Sequence, residues 1–166
     1  MPCHGPWNFS TSKRMWIQRK GKKAAMAGGS RLADRISREE RSEIMSRIRS
    51  KDTSPEIALR KKLWKMGCRY RLHYGKEKID IAFPGKSVAV FVDGCFWHSC
   101  PFHGRIPKSN GSYWGPKLKR NAERANSKDS RLQADGWRII HVWEHSIRES
   151  PESCAEEIMA ALNVHA

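Results

Sequence analysis

Two strand-length, largely apolar stretches stand out along the chain: Ser87 to Val92 (S-V-A-V-F-V) and Trp137 to Glu144 (W-R-I-I-H-V-W-E). Their β-branched content suits strands buried inside a sheet. Lys78 to Phe83 and Ser87 to Val92 flank Pro84-Gly85-Lys86, which reads as a β-hairpin, and Tyr70 to Tyr74 reads as a short strand. Helical patterning fills the intervals. Ser37-Arg-Glu-Glu40 fits a capping box and opens a helix with Ile44, Met45 and Ile48 on one stripe. Thr53-Ser-Pro-Glu56 is a second box, with Pro55 where a first turn tolerates it; the helix after it carries Ile57, Leu63 and Trp64 inward and stops at Gly67. Trp114 to Ala134 predicts a long, charged helix ending before Gly136, and Ser150-Pro151 opens an amphipathic helix through Leu162. Strands interleaved with helices, with no internal repeat, predict an α/β domain.

At 166 residues one compact domain is expected, and no apolar run approaches the ~18 residues of a membrane span. A net charge of +15 points to a polyanionic partner. Residues 1–33 hold seven Lys/Arg and no acid. Poor in aliphatics and rich in Gly, Ser and Lys, they are expected to be a disordered basic extension before a domain at 34–166. An organellar transit peptide, or translation starting at Met26, accounts for the same stretch. The remaining residues carry 25 basic against 17 acidic side chains. The body is therefore basic in its own right, which favours nucleic acid, although a structural RNA-binding protein has the same balance. The five cysteines (3, 68, 95, 100, 154) are odd in number and mostly scattered, which suits a reducing cytosol.

The candidate chemistry gathers around Ser87–His103. Asp80 lies inside the apolar run Ile79–Phe83, where an unpaired charge is costly. With a turn centred near Gly85, Asp80 falls opposite about Val90, and Val92 becomes a diagonal neighbour at roughly 7–8 Å. Asp93 ends the strand. Two acids on adjacent strands beside an exposed main-chain carbonyl can hold a hard cation such as Mg2+, and Mg2+ beside a phosphodiester is a general means of cutting it. Pairing of Asp80 with an arginine, with Asp93 merely starting a turn at Gly94, explains the same residues without a cation. Cys95-x4-Cys100-x2-His103, with His145 behind the last strand, offers the ligands of a closed, structural, tetrahedral Zn2+ site. A Cys95–Cys100 disulfide and a surface His145 are the alternatives. His98 can serve as general acid or base, as a zinc ligand in place of His103, or as a packed histidine. Phe96, Trp97 and Trp114 read as core aromatics by composition, and as base-stack wedges if the site cuts DNA.

Five blocks in order carry a resemblance: D-T-S-P-E (52–56), I-D-I-A-F-P (79–84), V-F-V-D-G-C-F-W-H-S-C-P-F-H (90–103), Y-W-x-x-K-L-x-x-N-x-x-R (113–124) and G-W-R-I-I-H-V-W-E (136–144). Over residues 35–163 the chain resembles the very short patch repair endonucleases, relatives of type II restriction enzymes. The resemblance implies a restriction-endonuclease-like core, a central mixed β-sheet flanked by helices, with a structural zinc site. It implies Mg2+-dependent nicking of double-stranded DNA 5′ to the thymine of a T:G mismatch, the product of 5-methylcytosine deamination. Asp80 falls at the family's metal-binding aspartate, Val92 at the residue whose carbonyl completes that site, His98 at the catalytic histidine and Glu56 at the helix glutamate that supports it. Cys95, Cys100, His103 and His145 fall where the family binds zinc. Phe96, Trp97 and Trp114 match its wedging aromatics, and Lys108, Lys117 and Asn121 are expected DNA contacts. A monomer in the bacterial cytoplasm, working beside a cytosine-5 methyltransferase system and mismatch-repair proteins, completes what the resemblance implies.

The chain also departs from the pattern. Where the best-known member has Thr-His this chain has Val92-Asp93, so the histidine's role passes to a carboxylate or disappears, and Asp93 joins the candidate catalytic residues. The zinc set differs in which positions are Cys and which His, and the family's acid after Arg124 is here Ala125. Glu56 is equally explained as a cap. As wedges, Trp97 and Trp114 are expected to be exposed in the free protein. The rival readings are a restriction-type enzyme cutting both strands of unmodified sites and a zinc-stabilised binder that does not cut. Asp80 argues against the binder, which has no need of an acid in a buried strand on a surface that faces a polyanion.

Overall fold

The computed structural model describes residues 14–17, 37, 40, 42, 43, 46, 51–104 and 111–163. The strands are β1 (Arg14–Ile17), β2 (Arg71–Tyr74), β3 (Ile79–Phe83), β4 (Val88–Asp93) and β5 (Arg138–Trp143); the helices are α1 (Ser54–Lys65), α2 (Gly111–Ala134), α3 (Glu144–Glu149) and α4 (Pro151–Asn163). They form one mixed sheet in the order β1-β5-β4-β3-β2, parallel at β1–β5 and β5–β4 and antiparallel at β4–β3 and β3–β2. The α/β class and the flanked mixed sheet are as the sequence predicts.

Alternation along β4 and β5 explains the layering. Val88, Val90, Ile140 and Val142 point to one face, where Leu59 and Leu63 of α1, Ile147 of α3 and Cys154, Ala155, Ile158 and Leu162 of α4 close over them. Ala89, Phe91 and Ile139 point to the other face and meet Leu132 of α2. With both faces covered, β4 and β5 must be apolar throughout. Each fully buried aliphatic side chain contributes roughly 1.5–3 kcal/mol. That makes the buried polar residues on these two strands, Asp93 and His141, the ones that need a reason.

Three expectations are corrected. Ile57 and Trp64 do not face inward: they are 37% and 53% exposed, because the stripe of α1 that meets the sheet runs through Glu56, Leu59, Arg60 and Leu63. Trp64 instead packs edge-on against Tyr70, under the Arg69 guanidinium at 4.0 Å. The box at Thr53 is not a cap either: its hydroxyl donates to Glu56 Oε1 at 2.8 Å, and the other carboxylate oxygen takes the Asp52 N–H at 3.1 Å. Residues 14–17, expected to be disordered, pair along β5 as β1. The reciprocal box of Ser37 and Glu40 is present, at 2.8 and 3.1 Å. The remainder of 1–33, along with Ile44, Met45 and Ile48, lies outside the described residues.

Because β1 covers an edge of β5, removing residues 1–25 leaves a row of backbone donors and acceptors open. The expected outcome is a fall of several degrees in melting temperature, at about 2–4 °C per kcal/mol for a chain of this size, with increased self-association by light scattering. An unchanged melting curve would show that the sheet does not depend on β1.

Candidate active site and metal centre

The β3–β4 hairpin sets the first group of side chains. Its turn is a 3-10 helix over Pro84–Lys86 followed by Ser87 in the left-handed region. The added length moves the register by one residue, so that Ile81 rather than Asp80 opposes Val90. Asp80 reaches instead to the end of β4, where its Oδ2 accepts the Val92 N–H at 3.0 Å. The N–H and C=O of one strand residue face the same neighbour, so the Val92 carbonyl lies on this side too. Burial pushes the Asp80 carboxyl up to about 6; the Val92 N–H opposes that, Glu56 and Asp93 reinforce it, and Lys128 works against it. Glu56 is 5% exposed and held by the Arg60 guanidinium at 2.8 Å, with Arg60 also bonded to Asp52. Three acids thus crowd one end of the sheet of a chain whose net charge is +15. Carboxylates gathered around a main-chain carbonyl form the kind of oxygen donor set that Mg2+ takes.

A second group lies beside it. Asp93 Oδ2 meets His141 Nδ1 at 2.7 Å, and His141 Nε2 meets Asp129 Oδ2 on α2 at 3.0 Å. All three residues are buried. Burial alone pushes the His141 imidazole down, but the hydrogen bonds and charges of Asp129 and Asp93 outweigh it and raise the pKa to about 9. The other oxygen of Asp93, Oδ1, faces His98 Nδ1 at 3.5 Å. His98 is half-buried, leaving Nε2 on the far side of its ring.

Beyond Asp93 the chain coils tightly from Gly94 to Gly104 through His98 N–H to Gly94 O (3.1 Å), Cys100 N–H to Cys95 O (2.9 Å) and Gly104 N–H to Cys100 O (2.6 Å). Gly104 is required here, since a Cβ would lie 2.6 Å from the backbone of Cys100. The coil gathers Cys95, Cys100, His103 and His145 so that their ligand atoms lie within 4.8 Å of one another. Cys95 Sγ to His145 Nδ1 is 3.1 Å, Cys100 Sγ to His145 Nδ1 is 3.7 Å, and Cys100 Sγ to His103 Nδ1 is 3.8 Å. A tetrahedron with Zn–S and Zn–N bonds near 2.3 and 2.0 Å has edges of about 3.5 Å, so the donor set fits zinc. Both cysteines are free thiols, not a disulfide. Without a cation, burial pushes the Cys95 thiol up to about 12. Glu144 accepts the Cys95 N–H at 2.8 Å, and the Trp143 ring stacks on His145.

Phe96, Trp97 and Trp114 meet as one aromatic cluster with centroids 5.0–6.1 Å apart. Lys117 Nζ sits 5.3–5.7 Å from the Trp97, Tyr113 and Trp114 rings. The expectation that both tryptophans are exposed is corrected: Trp114 is 8% exposed and Trp97 is half-buried. Trp114 begins the apolar stripe of α2, while Tyr113, 57% exposed, presents its ring to solvent. Asn121 is half-buried on the same helix, and Lys108 lies outside the described residues.

Sequence reasoning missed His141, Asp129, Lys128 and Arg60. Two of these left a signal. His141 interrupts an otherwise apolar strand, and Asp129 stands among Leu118, Ala125 and Leu132 at positions where a helix buries its stripe. Arg60 and Lys128 had none, because basic residues are everywhere in this chain.

A basic protein with this sheet and these sites belongs among enzymes that act on DNA backbones, and comparison with known proteins agrees. The family model described as DNA mismatch endonuclease Vsr matches residues 33–103. The chain is 51% identical to the type II nicking enzyme V.NaeI of Lentzea aerocolonigenes over 112 residues, 63% of this chain and 68% of that one. It is 42% identical to V.XorIIP of Xanthomonas oryzae pv. oryzae over 119 residues (68% and 85%), and 32% identical to the DNA mismatch endonuclease Vsr of Escherichia coli over 127 residues (70% and 77%). The protein is a DNA endonuclease, a hydrolase. It belongs to the Vsr family.

The charged trio has a sign that a melting experiment can read. The folded-state pKa of His141 lies above its unfolded value of about 6.5, so its contribution is complete below pH 6.5 and is lost as pH rises to about 9. The expected loss is about 3 kcal/mol over that window. Stability independent of pH between 6.5 and 9 would contradict the doubly paired imidazolium.

Proposed function

We propose that this enzyme nicks duplex DNA 5′ to the thymine of a T:G mismatch by Mg2+-dependent hydrolysis, the first step of very short patch repair. The observation that carries the reading is the hydrogen bond from the Val92 N–H to Asp80, which puts a carboxylate and a main-chain carbonyl together beside Glu56, Asp93 and His98. Asp80 and the Val92 carbonyl would hold the Mg2+, which when bound supplies Lewis-acid stabilisation of phosphate charge and a more acidic water. Glu56, fixed by Arg60 and Thr53, contributes its charge from α1. His98 exchanges a proton with the reacting groups at Nε2, and Asp93 orients it at Nδ1. The carboxylate at 93 thereby takes the place of the histidine found in the best-known member.

Cys95, Cys100, His103 and His145 would hold a structural Zn2+, fixing the coil that carries Phe96, Trp97 and His98. The aromatic cluster with Lys117 and Asn121 forms the DNA-facing surface, the aromatics wedging into the stack beside the mismatch, and Lys108 is a further DNA contact in this reading. The reading takes residues 34–166 as a restriction-endonuclease-like domain preceded by a basic extension, monomeric, in the bacterial cytoplasm, serving a cytosine-5 methyltransferase system alongside mismatch-repair proteins. Family membership supports these last points.

The decisive assay compares matched and T:G duplexes with Mg2+ or with EDTA, for wild type and Asp80→Asn. Wild type is expected to nick the T:G strand only with Mg2+, and Asp80→Asn to lose about 10³-fold or more while keeping its affinity for the duplex. Cleavage of both strands of matched DNA would replace the mismatch reading, and wild-type nicking by Asp80→Asn would sink the Mg2+ assignment.

Purified protein is expected to hold about one equivalent of zinc. Gly104→Ala, which forces the Cys100 backbone to move, should lower both zinc content and melting temperature. Soluble, active protein without zinc would end that claim.

A further inference from the structure

We infer that His141 and Asp129 form a positioning unit that clamps one oxygen of Asp93 and thereby aims the other at His98. The inference rests on the proposed role of His98 as proton carrier. Three elements converge on it. Asp93 ends β4, His141 lies in mid-β5 opposite Phe91, and Asp129 comes from the buried stripe of α2. The His141 ring is packed against Phe91 with centroids 5.6 Å apart, and the Lys128 ammonium lies over the other ring at 4.6 Å. The imidazole therefore has little freedom to rotate, and each ring nitrogen has a carboxylate oxygen within 3.0 Å. Asp93 cannot swing either: Oδ2 is committed to His141, which leaves Oδ1 toward His98 Nδ1 at 3.5 Å. Contacts of this kind are commonly long before substrate binds and tighten in the reactive complex.

The chemistry needs this arrangement. A histidine that exchanges protons at Nε2 must carry its other hydrogen on Nδ1, and a fixed carboxylate facing Nδ1 selects that tautomer. An unclamped Asp93 would be a buried acid near Asp80 and Glu56 with no cation to hold it. One protonated imidazole between two acids leaves a single residual negative charge on the trio, directed at His98. The unit also ties α2, and with it Trp114, Lys117 and Asn121, to the end of the sheet where Asp80 lies.

The test uses the full chain and two readouts. The variant His141→Leu/Asp129→Leu replaces the clamp by apolar side chains, an exchange that buried ion pairs often tolerate; Asp129→Asn is the milder companion, to be read if the double variant does not fold. The clamp predicts a loss of roughly 10- to 100-fold in single-turnover nicking of a T:G duplex, within the 10²–10⁴ that general acid–base catalysis contributes, with duplex affinity unchanged. In a His98→Ala background the same replacements should cost nothing further, since they act through His98. Equal losses in both backgrounds, or no loss in either, would overturn the proposal. The second readout does not depend on nicking. Nitrogen NMR of the free protein above pH 8, with the His98 signal assigned by comparison with His98→Ala, should show the Nδ1–H tautomer in wild type and the Nε2–H tautomer once the clamp is removed. If wild type shows the Nδ1–H tautomer but no nicking, the functional reading fails while the clamp stands. The Nε2–H tautomer in wild type would overturn the clamp whatever the nicking assay gives.

Discussion

The pairing of β4 with β5 is the constraint on which the rest of the structure depends. It is parallel, buried on both faces, and in register from Val88 opposite Arg138 to Asp93 opposite Trp143. A slip of one residue would turn Phe91, Asp93 and His141 toward the α1–α4 face and send valines into the α2 face. The apolar alternation forbids that slip, and in doing so it fixes the chemistry. Asp93 ends on the same face as His141, Trp143 leads directly into His145, and the coil leaving β4 meets the chain leaving β5 at the Cys/His cluster. That one register therefore sets the charged trio and the Cys/His cluster together, while the β3–β4 hairpin adds Asp80 beside Val92.

Charge explains why such a site is tolerable. A chain of +15 sits in a field that favours carboxylates, yet those here are buried, where attraction must come from specific partners. Glu56 has Arg60, and Asp93 and Asp129 share His141. Among the described residues of this cluster, Asp80 has a backbone N–H as its hydrogen-bond partner and no basic side chain bonded to it, and burial pushes its carboxyl up to about 6. That asymmetry is the ground for proposing Asp80 as a cation ligand, its neighbours being already paired.

Apart from β1 and α3, the order of strands and helices was legible because β-branched runs and helical stripes carry it. So were the gathering of Cys95, Cys100, His103 and His145 and the nearness of Asp80 to Val92, since acids and soft ligands inside or just after an apolar run have few structural excuses. Other features were not legible. The hairpin register depended on a 3-10 turn that Pro84-Gly85-Lys86 does not announce. The facing of α1 was misjudged because Arg60 is buried by its pairing with Glu56, which rotates Ile57 and Trp64 outward. The helix Glu144–Glu149 follows its strand without a break, and a polar six-residue segment gives no periodicity to read. The half-burial of Trp97 and the burial of Trp114 come from their packing on each other and on Phe96, a contact between residues 17 apart that only the fold brings about.

The carboxylate at position 93 and the imidazole at position 141 have to be understood together. Placed alone beside Asp80 and Glu56, a buried Asp93 would add repulsion to a site already short of positive charge. Placed alone in β5, a buried imidazole would lose its proton and leave a polar ring in an apolar layer. Each supplies what the other lacks, and Asp129 secures the far side of the ring from a helix that packs there in any case. The pair therefore replaces a neutral-or-cationic histidine at the end of β4 by an anion whose charge is offset one strand away. A site with Asp rather than His at this position is left with His98 as its nearby imidazole, half-buried with Nδ1 toward Asp93, and that placement is why His98 is the group proposed as proton carrier.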